Sequence, residues 1–228
     1  MIKENICDVK EKIKAACERS GRDVSEVTLI AVSKTKPLSM IEEAIGAGMV
    51  EFGENKPQEM RDKSRELETP VHWHMIGSLQ TNKVKYIAPF VSLIESLDSE
   101  RLAEEINRQA EKCGRTIDCL LEIHVTDEES KSGWAYDELL SFVCGGGFTA
   151  YPNIRIRGVM GMATFTDDEA VVRHDFKRLA ECKAELAEYF GEEFDTLSMG
   201  MSDDYRIALE CGTTEVRIGS TIFGAREY

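Results

Sequence analysis

The residues of this chain best suited to covalent or anion chemistry sit where short apolar runs give way to polar ones. Ala31-Val32-Ser33-Lys34-Thr35-Lys36-Pro37 ends one such run on a lysine. If 27–33 is a strand, Ile30, Val32 and Lys34 share a face. With Ile30 and Val32 inside a barrel, Lys34 points up its axis into the mouth. Apolar walls disfavour the charged ammonium, and a free amine there is the nucleophile for a Schiff base with a carbonyl compound. A solvated lysine at a strand end is the plain alternative. Lys36, biased to an extended conformation by Pro37, reads as a rim residue.

Val216-Arg217-Ile218-Gly219-Ser220 closes another run. Alternation sends Val216 and Ile218 toward the helices, with Glu215, Arg217 and Gly219 inward. An inward guanidinium needs an anion or a strong acceptor, either a ligand or an internal partner such as Glu215 or another strand's carboxylate. Gly219-Ser220 offers backbone N–H groups and a hydroxyl. Ser198-Met199-Gly200-Met201-Ser202 supplies a second glycine and a serine, with Ser202 expected to cap the next helix. Asp203 and Asp204 would then compete with an anion for the helix start. Asn55, after Phe52-Gly53-Glu54, faces a ligand or caps a helix. His72 and His74 share a face, but two imidazoles with no third ligand nearby make a weak metal site; no metal is expected.

The elements that must position these groups alternate. An amphipathic helix over 2–18 (Ile2, Ile6, Val9, Ile13) comes first. Eight strands follow, at 27–33, 50–53, 71–76, 91–96, 117–125, 154–160, 196–198 and 215–218. Helices are expected near 38–47, 55–66, 80–88, 98–113, 135–144 and 167–190, and after Ser202. Apolar strands alternating with helices indicate a parallel sheet. Eight repeats favour a single-domain α/β (β/α)8 barrel with an extra N-terminal helix, spanning 1–228. In that fold the working groups stand at the C-terminal ends of the strands, and the last two loops are the customary phosphate site.

Composition narrows the function classes. The chain holds 28 basic against 42 acidic residues, a net charge of −14. A surface that acidic repels phosphate backbones, so neither nucleic acid nor an anionic membrane is an expected partner. The seven cysteines are scattered with no C-x-x-C pair, as in reduced cytosolic proteins. No apolar run reaches membrane-spanning length, and the first twenty residues are too charged for a signal peptide. A cytoplasmic monomer is the expectation.

Several segments recur together in one known family. They are Ala31–Pro37, Phe52–Asn55, Trp73-His74-Met75-Ile76-Gly77-Ser78-Leu79-Gln80-Thr81-Asn82-Lys83, Ser130-Lys131-Ser132-Gly133, Arg157–Met160, Leu197–Asp203, and Val216–Gly219 with Phe223-Gly224-Ala225-Arg226. In this order the chain resembles the pyridoxal phosphate homeostasis proteins, barrels related to the N-terminal domain of alanine racemase. The resemblance implies that Lys34 carries pyridoxal 5′-phosphate as a Schiff base. It implies that Ser202, Gly219 and Ser220 hold the phosphate, that Asn55 lies beside the cofactor, and that Arg217 faces the pyridine nitrogen. Ser220 stands where many relatives have threonine, keeping the hydroxyl.

An arginine at the ring nitrogen neither accepts nor yields a proton, so the ring stays neutral and a weak electron sink. Racemases of this type add a β-rich domain carrying a tyrosine acid/base. Here Tyr228 follows Ile218 by ten residues, so that domain is expected to be missing, leaving one obvious base. A carrier that buffers the cofactor and delivers it to apo-enzymes is therefore expected. The alternatives are a slow amino-acid racemase or other pyridoxal phosphate enzyme, a sugar-phosphate barrel enzyme, and a structural barrel. Roles for Lys36, His74, Lys83 and Lys131 stay open.

Overall fold

The computed structural model describes residues 1–126 and 132–225. Ser130 and Lys131 of the fourth motif, and Arg226 of the last, lie outside them. The strands β1 (Thr28–Val32), β2 (Glu51–Glu54), β3 (His72–Met75), β4 (Leu93–Leu97), β5 (Ile117–Glu122), β6 (Ile154–Met160), β7 (Thr196–Ser198) and β8 (Glu215–Ile218) form a closed parallel barrel in sequence order. The seam closes as Thr28 to Ala31 pair with Glu215 to Ile218. The expected (β/α)8 architecture is therefore observed.

Alternation sets what each face buries. Leu29, Ala31, Val216 and Ile218 join the apolar layer between strands and helices. Inside the barrel a small apolar group, Leu93, Leu120 and Met160, shares the space with buried polar side chains. The β6 strand approaches β7 so closely at Gly158 (φ 156°) that a Cβ there would lie 1.8 Å from the Thr196 carbonyl oxygen. Only glycine fits such a position.

Among the described residues, seven α-helices of six or more residues surround this barrel. The first, α1 (Ile2–Arg19), buries Ile2, Ile6, Val9, Ile13 and Ala16 on one stripe. It packs on α2 (Leu38–Gly46), α7 (Tyr205–Glu210) and the short α8 (Ser220–Phe223), with Asn5 Nδ2 donating to the Ile222 carbonyl at 2.9 Å. The others are α3 (Pro57–Glu66), α4 (Glu100–Lys112), α5 (Tyr136–Cys144) and α6 (Glu169–Phe190). Ser99 caps α4 by accepting from the Leu102 N–H, and Asp168 caps α6 through Ala170.

Three expectations need correction. The helix expected over 80–88 is a 3-10 turn at Thr81–Tyr86. Pro89 lacks a donor and pushes Ala88 away from helical dihedrals, which shortens the segment. The fifth strand stops at Glu122: the Ile123 N–H still donates to the Met160 carbonyl, but beyond it the chain turns to Trp134, whose carbonyl accepts from the His124 N–H and whose N–H donates to the Glu122 carbonyl. Ser202 does not cap α7: that helix starts at Tyr205, and Asp204 occupies the cap position.

Candidate functional site

Lys34 lies half-buried in the turn that follows β1. The turn is closed by Lys36 N–H donating to the Ser33 carbonyl at 3.0 Å, which leaves Lys34 and Thr35 as its central residues. At the ends of β7 and β8, the Ser202 hydroxyl accepts from the Gly219 N–H at 3.4 Å. Gly219 rests against β1 itself, for a Cβ there would be 3.2 Å from the Val32 carbonyl oxygen. The lysine turn and the Ser202–Gly219 pair therefore meet at one end of the barrel seam. Lys36 ties the same region together by donating to the Gly224 and Ala225 carbonyls at 3.1 and 2.8 Å.

Ser220 is exposed and opens α8. Asp204 does not sit in a helical first turn; its carboxylate accepts from the Met201 N–H, and burial raises its carboxyl above the usual range. Asn55 caps nothing. Its Oδ1 is buried with no hydrogen-bond partner in the structure, and Gly77 packs against its Cβ.

Arg217 points into the barrel and is almost fully buried. Its Nη1 donates to the Ser198 hydroxyl and faces Glu95 Oε2 at 3.5 Å, while Nη2 donates to the Gly161 carbonyl at 3.1 Å. Of the internal partners considered from sequence, the carboxylate across the barrel is the one found. Glu95 also accepts from Ser198 at 2.7 Å and from His74 Nδ1 at 3.1 Å. His74 Nε2 meets Glu51 at 2.9 Å, and Glu51 meets the exposed ring of His72 at 2.7 Å. A hydrogen-bonded column thus runs through the interior from Arg217 to the opposite mouth.

The column carries its charges in balance. Burial alone would lower the His74 pKa, but its bonds to Glu51 and Glu95 outweigh this and push it up to about 10. Burial, reinforced by the Glu95 charge, pushes Glu215 up to about 8. Burial acts against Glu95 too, yet His74 and Arg217 hold its carboxyl below the ordinary range. His74, Glu95 and Glu215 offer atoms within 4.8 Å of one another, a spacing that could admit a metal ion. At neutral pH, however, two protons and the Arg217 guanidinium already supply the positive charge, so a cation would have to displace them.

A second buried network underlies the lysine turn. Lys63 of α3 donates to the Ser33 carbonyl at 2.9 Å and to Glu54 and Glu59 at 2.7 Å each. Two cavities open elsewhere. One, of about 370 Å³, lies at the far mouth against His72, His74 and Arg157; the other, of about 440 Å³, is an apolar groove beside α1. Neither is lined by Lys34.

This arrangement can be set against known proteins. The model of the alanine racemase N-terminal domain matches residues 7–227. The pyridoxal phosphate homeostasis protein of Haemophilus influenzae is 38% identical over 231 residues, covering 100% of this chain and 97% of that one. The chain belongs to the pyridoxal phosphate homeostasis protein family. Among solved structures of comparable length, PipY of Synechococcus elongatus PCC7942 with PLP bound superposes with a TM-score of 0.85 at 32% identity, covering 98% of this chain and 100% of that one. The alanine racemase of Streptomyces lavendulae shares the fold, with a TM-score of 0.74 at 16% identity, over 96% of this chain and 57% of the racemase.

Within this homeostasis-family barrel, sequence reasoning missed Glu95 and Lys63. Glu95 was within reach of the alternation that placed Arg217, since Leu93 and Glu95 fall on one face of β4. Lys63 was not, because Glu59 and Lys63 read as an ordinary i,i+4 surface pair. The described residues contain no helix long and apolar enough to cross a membrane.

Proposed function

We propose that this protein binds pyridoxal 5′-phosphate at the β1–β8 end of the barrel and serves its homeostasis in the cytoplasm, as a monomeric carrier with little turnover. Lys34 holds the aldehyde carbon as a Schiff base. Ser202, Gly219 and Ser220 would hold the phosphate, Asn55 would lie beside the ring, and Arg217 would face the ring nitrogen. The observation that carries this reading is the packing of Gly219 directly on Val32, which brings the phosphate-type loop within two residues of Lys34. The orphaned Asn55 Oδ1 supports it as well, since a buried acceptor without a partner is costly unless a ligand supplies one.

When bound, the group supplies an aldehyde and a conjugated ring that can delocalise charge. The chain's own residues argue for holding over turnover. The Arg217 guanidinium is braced by Glu95, Ser198 and Gly161, and stays charged. It gives the ring nitrogen no proton acceptor. Delivery to apo-enzymes follows as the consequence of a site that binds without consuming.

Incubation with pyridoxal phosphate, borohydride reduction and peptide mapping test the site. Lys34 should carry the adduct, and Lys34→Ala should lose it while retaining native circular dichroism. Mapping to Lys36 or Lys83 instead would refute the assignment. Cα hydrogen exchange in L-alanine at enzymatic rates would replace the carrier reading with the racemase one.

A further inference from the structure

Both peptides flanking Lys34 are held through one buried ammonium. Lys63 is only 8% exposed. Its three N–H groups are all engaged, by the Ser33 carbonyl, Glu54 and Glu59. The two carboxylates grip the turn in their own right: the Ser33 hydroxyl donates to Glu54 at 2.6 Å, and the Thr35 N–H donates to Glu59 at 2.6 Å. An ordinary surface pair on a helix makes no such backbone contacts.

The turn needs this grip. Thr35 has φ 65°, the left-handed region that a β-branched residue rarely enters. A positive φ at the second central residue is the type II arrangement, where glycine is usual. Backbone strain of this kind persists only when the surroundings over-determine it, and it gathers at functional sites.

We propose that Lys63 is the positioning residue for Lys34. By fixing the Ser33 carbonyl and, through Glu59, the Thr35 N–H, it sets the direction in which the Lys34 side chain leaves the turn, and with it how far Schiff-base formation proceeds. The inference rests on the reading of Lys34 given above. In that step the Lys34 nitrogen adds to the aldehyde carbon and water leaves; Lys63 touches none of the reacting atoms.

Full-length Lys63→Met, Glu59→Ala and Glu59→Gln proteins provide the test. Two quantities are compared: the imine equilibrium constant with pyridoxal phosphate, and the Kd for pyridoxine 5′-phosphate, which keeps ring and phosphate but has no aldehyde. Lys63→Met and Glu59→Ala should lower the imine constant at least about tenfold, as small misplacements of reacting groups do, with the pyridoxine phosphate Kd unchanged. Glu59→Gln should restore the imine, because its amide oxygen still accepts from Thr35. An unchanged imine constant, or a parallel loss of both affinities, overturns the proposal. Should Lys63→Met fail to fold, the partly exposed Glu59 pair decides alone. A wild-type protein that traps nothing on Lys34 overturns the functional reading itself, and this inference with it.

Discussion

Replacing Glu95 by glutamine removes one negative charge from between two buried cations while conserving side-chain volume, so no cavity contributes to the result. Glu95 is fully buried, accepts from Ser198 at 2.7 Å and His74 at 3.1 Å, and faces Arg217 at 3.5 Å. In the variant Arg217 and His74 keep Glu51 and the buried Glu122 as neighbours, and Glu215, relieved of the Glu95 charge that helps keep it protonated, ionises more readily. Removing one partner of a buried ion pair costs about 3–5 kcal/mol. Release of a proton from His74 or from Glu215 relieves part of this, which places the expected cost near the lower figure. A chain of 228 residues unfolds with an entropy of roughly 0.5 kcal/mol/K. A loss of about 3 kcal/mol therefore lowers Tm by roughly 6 °C at pH 7. Thermal unfolding followed by circular dichroism measures the shift. NMR of the His74 ring should show its pKa falling from about 10 toward the ordinary 6.5. A Tm within about 2 °C of wild type, with the His74 titration unmoved, would refute the idea that this carboxylate holds the two cations together.

Other outcomes follow from the same interior. Glu215 keeps its proton to about pH 8 when folded but loses it near 4.5 when unfolded, so its burial costs nothing below pH 4.5 and progressively more up to pH 8. Glu215→Gln should remove that slope and exceed wild type in urea stability at pH 8; parallel pH profiles would contradict it. Gly158→Ala would drive a methyl into the Thr196 carbonyl. It should cost more than about 4 kcal/mol and leave little soluble protein, so near-native yield and Tm would disprove the close approach of β6 and β7.

The architecture was legible because most strand residues of this barrel are buried whichever face they take, and runs such as Leu29 to Val32 announce that directly. Alternation from Val216 to Gly219 was enough to place Arg217 inside, and the same logic applied to β4 reaches Glu95. What it could not supply was the partner. Glu95 and Arg217 lie 122 residues apart, and their meeting depends on how the barrel closes, which local periodicity does not encode. Lys63 was hidden differently: its helix carries an unremarkable charge pair, and only the turn above it gives that pair a purpose. Ser202 was placed at the α7 cap, two residues before the true cap, because Asp203 and Asp204 resemble first-turn acids, whereas Asp204 folds back onto Met201.

Because β1 leads into Lys34 and β8 leads into Gly219, the two halves of the proposed site stand 185 positions apart along the chain and meet across the seam. During synthesis at about 5–20 residues per second, the amine emerges roughly 10–40 s before the loop that must lie beside it. A nascent chain on the ribosome thus exposes a lone nucleophile with nothing to retain a phosphorylated aldehyde. On the reading proposed for Lys34, loading is then a post-translational event, because the phosphate-type loop is missing until the barrel closes.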